Sequence, residues 1–288
     1  MDIGEVGIWG SWGWYDQGAE AAAEVATELE ELGYGALWLS GGFGRGLAPY
    51  FRDILAGTSR LVVASGIISI WVDDAASIAG GVAELEQLAP GRFLLGLGAS
   101  HAVIVDGSGD QYRHPYSKMV GYLDELDAAS PTVSRDRRAL AALGPKMLRL
   151  SAERSWGAHP YFVPVEHTAF ARETMGSGPL LAPEQAVVLE TDPAKARAIA
   201  REHMTGYLTL PNYTNNLRRF GYTDEDLSGG GSDRLVDAIV AWGDASAVAQ
   251  RVAAHRAAGA DHVCLQILTA EKDFPRKEYH EISAALHG

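Results

Sequence analysis

The chain has 288 residues, 47% hydrophobic and 21% charged, the make-up of a globular protein able to bury one sizeable core. A formal net charge of −13 excludes a general affinity for nucleic acid or an anionic membrane surface, because phosphate backbones require clustered Lys and Arg. The single cysteine, Cys264, excludes an internal disulfide and, set in an apolar run, reads as core packing.

In chain order, Val6 to Trp9 and Ala36 to Ser40 read as strands, separated by a helix over Ala21 to Leu32 that Gly33 stops. Leu61 to Ile70, rich in Val and Ile, is the third strand, and Ala75 to Leu88 is a helix. Phe93 to Gly98 is the fourth strand, its Gly96 and Gly98 alternating with Leu95 and Leu97 so that backbone or a flat ligand can approach closely. A helix over Tyr116 to Ala128, a short strand over Arg138 to Leu143 and a helix over Pro145 to Ser155, with proline in its first turn, come next. His159 to Val163, Ala186 to Glu190 and His262 to Leu268 complete the strands, with helices starting at His167, Pro193, Ser246 and Lys277. The polar segment Leu210 to Asn216 suits a loop or lid.

Eight apolar strands followed by helices point to an α/β fold, a closed parallel (β/α)8 TIM barrel, rather than an open doubly wound sheet. An open dinucleotide-binding sheet would carry G-x-G-x-x-G after strand one, where this chain has Gly10-Ser11-Trp12-Gly13-Trp14. No compositional break or linker divides the chain, so a single domain over residues 1–288 is expected. The opening residues lack a basic segment followed by a long apolar one, and no stretch is long enough to span a bilayer, so a cytoplasmic location is expected.

In such a barrel, chemistry belongs at the carboxyl ends of the strands. Those ends bring Trp9, Trp12, Ser40, Gly66, Ile67, Trp71, Ser100, His101, Gly144, Lys146 and the stretch Tyr161 to His167 to one mouth, rich in aromatics and glycine. Dense carboxylates, His-x-His and CxxC spacings are all missing, so no metal is expected. Gly144-Pro145-Lys146 opens a helix whose free amides suit an anion, or merely punctuates strand and helix. His101 suits proton transfer through its pKa near neutrality, or caps a strand end. Trp12, Trp14 and Trp71 wall an apolar substrate pocket or fill the core, and Glu166 with His167 also reads as a helix start.

The order and spacing of several segments resemble the luciferase-like monooxygenase family, in its subgroup of probable coenzyme F420-dependent oxidoreductases of actinobacterial type. They are Glu30 to Trp38, Gly91 to His101, Tyr122 to Asp127, Leu140 to Leu148, His159-Pro160-Tyr161, Glu166-His167-Thr168, Pro183 to Val187, Gly231 to Asp237 and Ala258 to Val263. The resemblance implies a deazaflavin ring across the mouth against the ends of strands three and four, with a non-prolyl cis peptide at Gly66-Ile67 behind it. It implies a cofactor set of Trp9, Ser40, Gly66, Ile67, Gly98, Ser100, Gly144 and Lys146, with His101 as the proton-transfer residue and Trp12, Trp71, Tyr161 and His167 towards substrate. Relatives often carry His, Asp or Glu just after strand two, where this chain has Ser40-Gly41-Gly42. The expected activity is hydride exchange between F420 and a small, largely apolar carbonyl, imine, alkene or alcohol. An FMN-dependent monooxygenase and a non-catalytic flavin-binding relative are the alternatives, and a homodimer is expected by the same resemblance.

Overall fold

A computed structural model describes residues 1–11, 13–41, 48–109, 111–271 and 273–288. Its strands are β1 (Val6–Gly10), β2 (Ala36–Leu39), β3 (Val62–Ser65), β4 (Ile68–Ser69), β5 (Phe93–Gly98), β6 (Arg138–Leu140), β7 (Gly157–Ala158), β8 (Leu180–Leu181), β9 (Glu184–Val188), β10 (Val240–Trp242) and β11 (Val263–Ile267). All their ladders are parallel, in the order β10-β9-β11-β1-β2-β3-β5-β6-β7-β8, with β4 also on β5.

The run 180–188 closes this sheet. On one side Ala182 N donates to Ala158 O and Glu184 N to Pro160 O; on the other, Asp261 N donates to Leu181 O and Cys264 N to Pro183 O. β8 and β9 are thus two parts of one barrel stave, interrupted at Pro183, which has no N–H to give to a ladder. The result is the (β/α)8 barrel, with β10 added beside β9.

Alternation along the strands sorts two cores. Ile8, Leu37, Val63, Phe93 and Leu95 face outward and pack with Val25, Leu29, Ile54 and Ile78 from the surrounding helices. Trp9, Trp38, Ala64, Leu94, Ala139, Ala182 and Cys264 face inward and fill the barrel. Cys264 is fully buried there, as core packing requires. Below the mouth, Trp38 stacks on His159 at 4.1 Å and 12° and donates its indole N–H to His262 Nε2 at 3.3 Å. Because a carbonyl only accepts, the His262 Nδ1 contact to Gly4 O at 2.9 Å puts the proton on Nδ1 and leaves Nε2 free to receive Trp38.

Several boundaries differ from the sequence reading. The third strand divides into β3 and β4 around Gly66-Ile67, the fifth ends at Leu140, and the sixth is Gly157–Ala158 rather than His159 to Val163. Pro160 and Pro164 together with Phe162 at φ 59° turn the chain out of the sheet there. The seventh strand begins two residues earlier, at Glu184, while β8 and β10 are too short to show a period in sequence. Leu210 to Asn216 is largely helix: Pro211–Arg219 buries Tyr213, Thr214, Asn216 and Leu217, a helical stripe of which half is polar. Among the described residues no helix is long and apolar enough to cross a membrane.

Candidate active site

The mouth is built on β1, β3–β4, β5 and β6 and the turns that leave them. The peptide Gly66-Ile67 is cis, and Ile67 lies against Gly98: a Cβ at Gly98 would sit 2.4 Å from Ile67 Cδ1. With the Ile67 side chain laid where a Gly98 side chain would otherwise stand, these residues form a small apolar shelf at the ends of neighbouring strands. Trp9, 8% exposed, stands beside it with its ring 5.2 Å from that of Tyr161. The Tyr161 hydroxyl contacts Gln266 Oε1 at 2.7 Å and the Tyr207 hydroxyl at 2.8 Å. Trp9 and Gln266 also line a cleft of about 530 Å³ at the ends of β1 and β11, together with Trp14, His203 and Phe274.

Across the shelf, His101 follows β5 and precedes the helix Ala102–Gly107. Its Nδ1 meets Asn212 Oδ1 at 3.0 Å and its ring lies 5.3 Å from Tyr213, so the helix Pro211–Arg219 covers it. Burial lowers its pKa below the ordinary histidine value, and the bond to Asn212 opposes this in part. Imidazole at neutral pH is therefore uncharged. With Nδ1–H given to the Asn212 oxygen, Nε2 carries the lone pair.

The far end of the same helix reaches the turn after β6. Arg219 Nη2 lies 4.0 Å from where a Gly144 Cβ would stand, while Arg219 Nη1 donates to Asn216 Oδ1 at 2.9 Å. Asn216 is almost fully buried and its Nδ2 has no partner. Gly144 leads into the helix Pro145–Arg154, whose first amides point out of the turn, and Lys146 is exposed there. Among the described residues no carboxylate pairs with Arg219 or Lys146. This end is electropositive in a chain of strongly negative charge.

Other sequence-predicted residues have different neighbours. Ser40 gives its carbonyl to the Tyr15 hydroxyl at 2.6 Å, and Ser100, at φ 58°, gives its carbonyl to Tyr112 at 3.4 Å. Trp71 spends its indole N–H on Ala99 O at 2.8 Å and carries Lys118 over its ring, bracing the β4 end against the β5 end. His167, expected towards substrate, has no exposed surface. It is completely buried between Phe170 and Phe220, and its Nε2 donates to Leu143 O at 2.9 Å, supporting the turn before Gly144. Trp12, like Gly42, lies outside the described residues.

Asn212, Tyr213, Asn216, Arg219 and Glu184 escaped the sequence reading. Asn212, Tyr213 and Asn216 sit in the segment read as a loop, and Arg219 follows it on the same helix, where Pro211 in the first turn was the helix signal. Glu184 is a buried carboxyl inside the barrel, 2% exposed: Oε2 accepts from Phe162 N at 3.1 Å, Oε1 has no partner, and burial raises its pKa to about 8. Tyr161, Tyr207 and Tyr213 are its neighbours in charge interaction.

The profile of the luciferase-like monooxygenases matches residues 1–262. The chain belongs to that family. No curated protein sequence matches it. Among solved structures, this luciferase-like barrel is similar to an F420-dependent secondary alcohol dehydrogenase in complex with an F420-acetone adduct (TM-score 0.74, 16% identity, 98% of each chain covered). It is similar also to the coenzyme F420-dependent tetrahydromethanopterin reductase of Methanopyrus kandleri (0.73, 15%, 97% of each). A third is the FMN-bound oxygenating constituent of 3,6-diketocamphane monooxygenase from the CAM plasmid of Pseudomonas putida (0.65, 15%, 97% of this chain and 96% of that one). At such identities the likeness establishes the fold, which F420 and FMN proteins share.

Proposed function

We propose that this luciferase-like barrel is an oxidoreductase that holds coenzyme F420 across its mouth and exchanges a hydride with a small, largely apolar organic substrate. One observation carries the reading: the small apolar shelf of Gly66, Ile67 and Gly98 and the electropositive turn at Gly144 lie on the ends of neighbouring strands. A planar ring with an anionic tail matches that pair of surfaces. Ile67 and Gly98 would support the ring, with Trp9 and Ser40 at its edge and Ser100 beside it. Gly144, Lys146 and Arg219, with the amides opening the helix Pro145–Arg154, would hold the phosphate. When bound, the deazaflavin supplies a ring carbon that carries hydride.

The chain's own part is proton handling and exclusion of water. His101 is uncharged at neutral pH and presents the Nε2 lone pair, so it would accept the proton of a substrate alcohol as hydride leaves, or return it to a carbonyl in the reverse direction. Asn212 fixes that tautomer, and Tyr213 shields the ring. Tyr161 and Trp71 would line the substrate side.

Titration with F420 and with FMN, followed by fluorescence, tests the assignment. Saturable F420 binding in the micromolar range or tighter is expected, and binding of FMN alone refutes it in favour of the oxygenase reading. F420 binding without turnover of any alcohol, carbonyl or alkene identifies a binding protein instead. His101→Ala should lower kcat by about a hundredfold or more with little change in F420 affinity, whereas Arg219→Ala should weaken affinity about tenfold.

A further inference from the structure

The indole N–H of Trp9 is a buried donor without an acceptor. This is unusual for a residue 8% exposed, because a buried donor left unmade costs more than an ordinary hydrogen bond contributes. The other inward tryptophan, Trp38, gives its N–H to His262, and Trp71 gives its N–H to Ala99. The Trp9 ring is fixed by Tyr161, which is itself held by Gln266 and Tyr207. Nε1 lies against position 66, where a Cβ would be 2.6 Å from it, so glycine there is what lets the polar edge of the indole reach the shelf beside Ile67.

We infer that Trp9 Nε1–H donates a hydrogen bond to a carbonyl oxygen at the edge of the planar ring bound on the shelf. The inference rests on the reading proposed above, and it assigns a polar contact to a residue otherwise describable as an apolar wall. A carbonyl is the matching acceptor because the indole has one proton to give and no lone pair to receive with. The ring carbonyls are common to deazaflavin and flavin. The nitrogen at position five of flavin, also an acceptor, is a C–H in F420.

The test is the indole N–H resonance of Trp9 in protein carrying ¹⁵N-labelled tryptophan, identified by its loss in Trp9→Phe and followed as F420 or FMN is added. Binding is measured independently by fluorescence. The expected result is a downfield shift and slowed hydrogen exchange of this resonance with either cofactor, while the resonances of Trp38 and Trp71 keep their exchange protection. Trp9→Phe should weaken binding about threefold to tenfold. A cofactor that binds while the Trp9 resonance stays in place overturns the inference and leaves the functional reading intact. A shift with FMN but not with bound F420 overturns the carbonyl assignment, since only position five differs in that way. Absence of saturable binding by both cofactors overturns this inference together with the reading beneath it.

Discussion

Replacing Glu184 by Gln should change how stability depends on pH while leaving the Phe162 amide its oxygen acceptor. The folded protein retains the Glu184 proton to about pH 8, whereas the ordinary carboxyl loses it at 4.5, so the stability this group contributes is complete below pH 4.5 and is lost as pH rises to 8. The buried histidines act in the opposite sense. His159, His167, His203 and His262 are held near pKa 4 and His255 near 3 by burial, so their contribution is present above 6.5 and disappears as pH falls. Between pH 6.5 and 8 the two effects nearly cancel: Glu184 removes about 1.6 kcal/mol, and the five histidines, half protonated in the unfolded chain at pH 6.5, each return about 0.4 kcal/mol, so the protein should be nearly flat over that interval. Urea unfolding followed by tryptophan fluorescence at pH 6.5, 7.2 and 8 measures this directly. The Glu184→Gln protein, with the histidines unopposed, should instead gain about 2 kcal/mol over the same range. An equal slope in both proteins would refute the claim that this carboxyl enters the fold with its proton on.

Two further substitutions test the shelf and its cover. Gly96→Ala would place a Cβ 1.9 Å from Ser65 O, a backbone atom, at a point where Ser65 Oγ already bridges Gly96 N and O, so a loss of about 3 kcal/mol or more in urea unfolding is expected. A loss below about 1 kcal/mol would mean that β3 and β5 are not so close. Asn212→Ala removes the contact that holds the His101 pKa up, so the ring should titrate at still lower pH by NMR; an upward movement would show that the amide does not accept from Nδ1.

Much of the fold was readable because burial on both faces leaves a strong mark in sequence. The helix Ala75–Leu88 and the strand Phe93–Gly98 have the bounds expected of them, and Gly98 was recognisable as a place of close approach. The stave 180–188 was only half legible. Pro183 divides it, and a buried Glu in its inward row imitates the polar end of a strand. At the mouth, residues on the strand ends were named from sequence, whereas those on the helix Pro211–Arg219 were not. That helix buries Thr214 and Asn216 on the face where apolar residues usually announce a helix. His167 misled for the reverse reason: an imidazole beside a mouth-forming segment turned out to serve a backbone carbonyl.

The helix Pro211–Arg219 touches His101 through Asn212 and approaches Gly144 through Arg219, seven residues and about 10 Å further along. A short rigid rod anchored at both places cannot release one without disturbing the other. On the reading proposed above, an anionic tail held by the guanidinium would bear on the same rod that carries Asn212, and so on the tilt of the imidazole at the opposite rim.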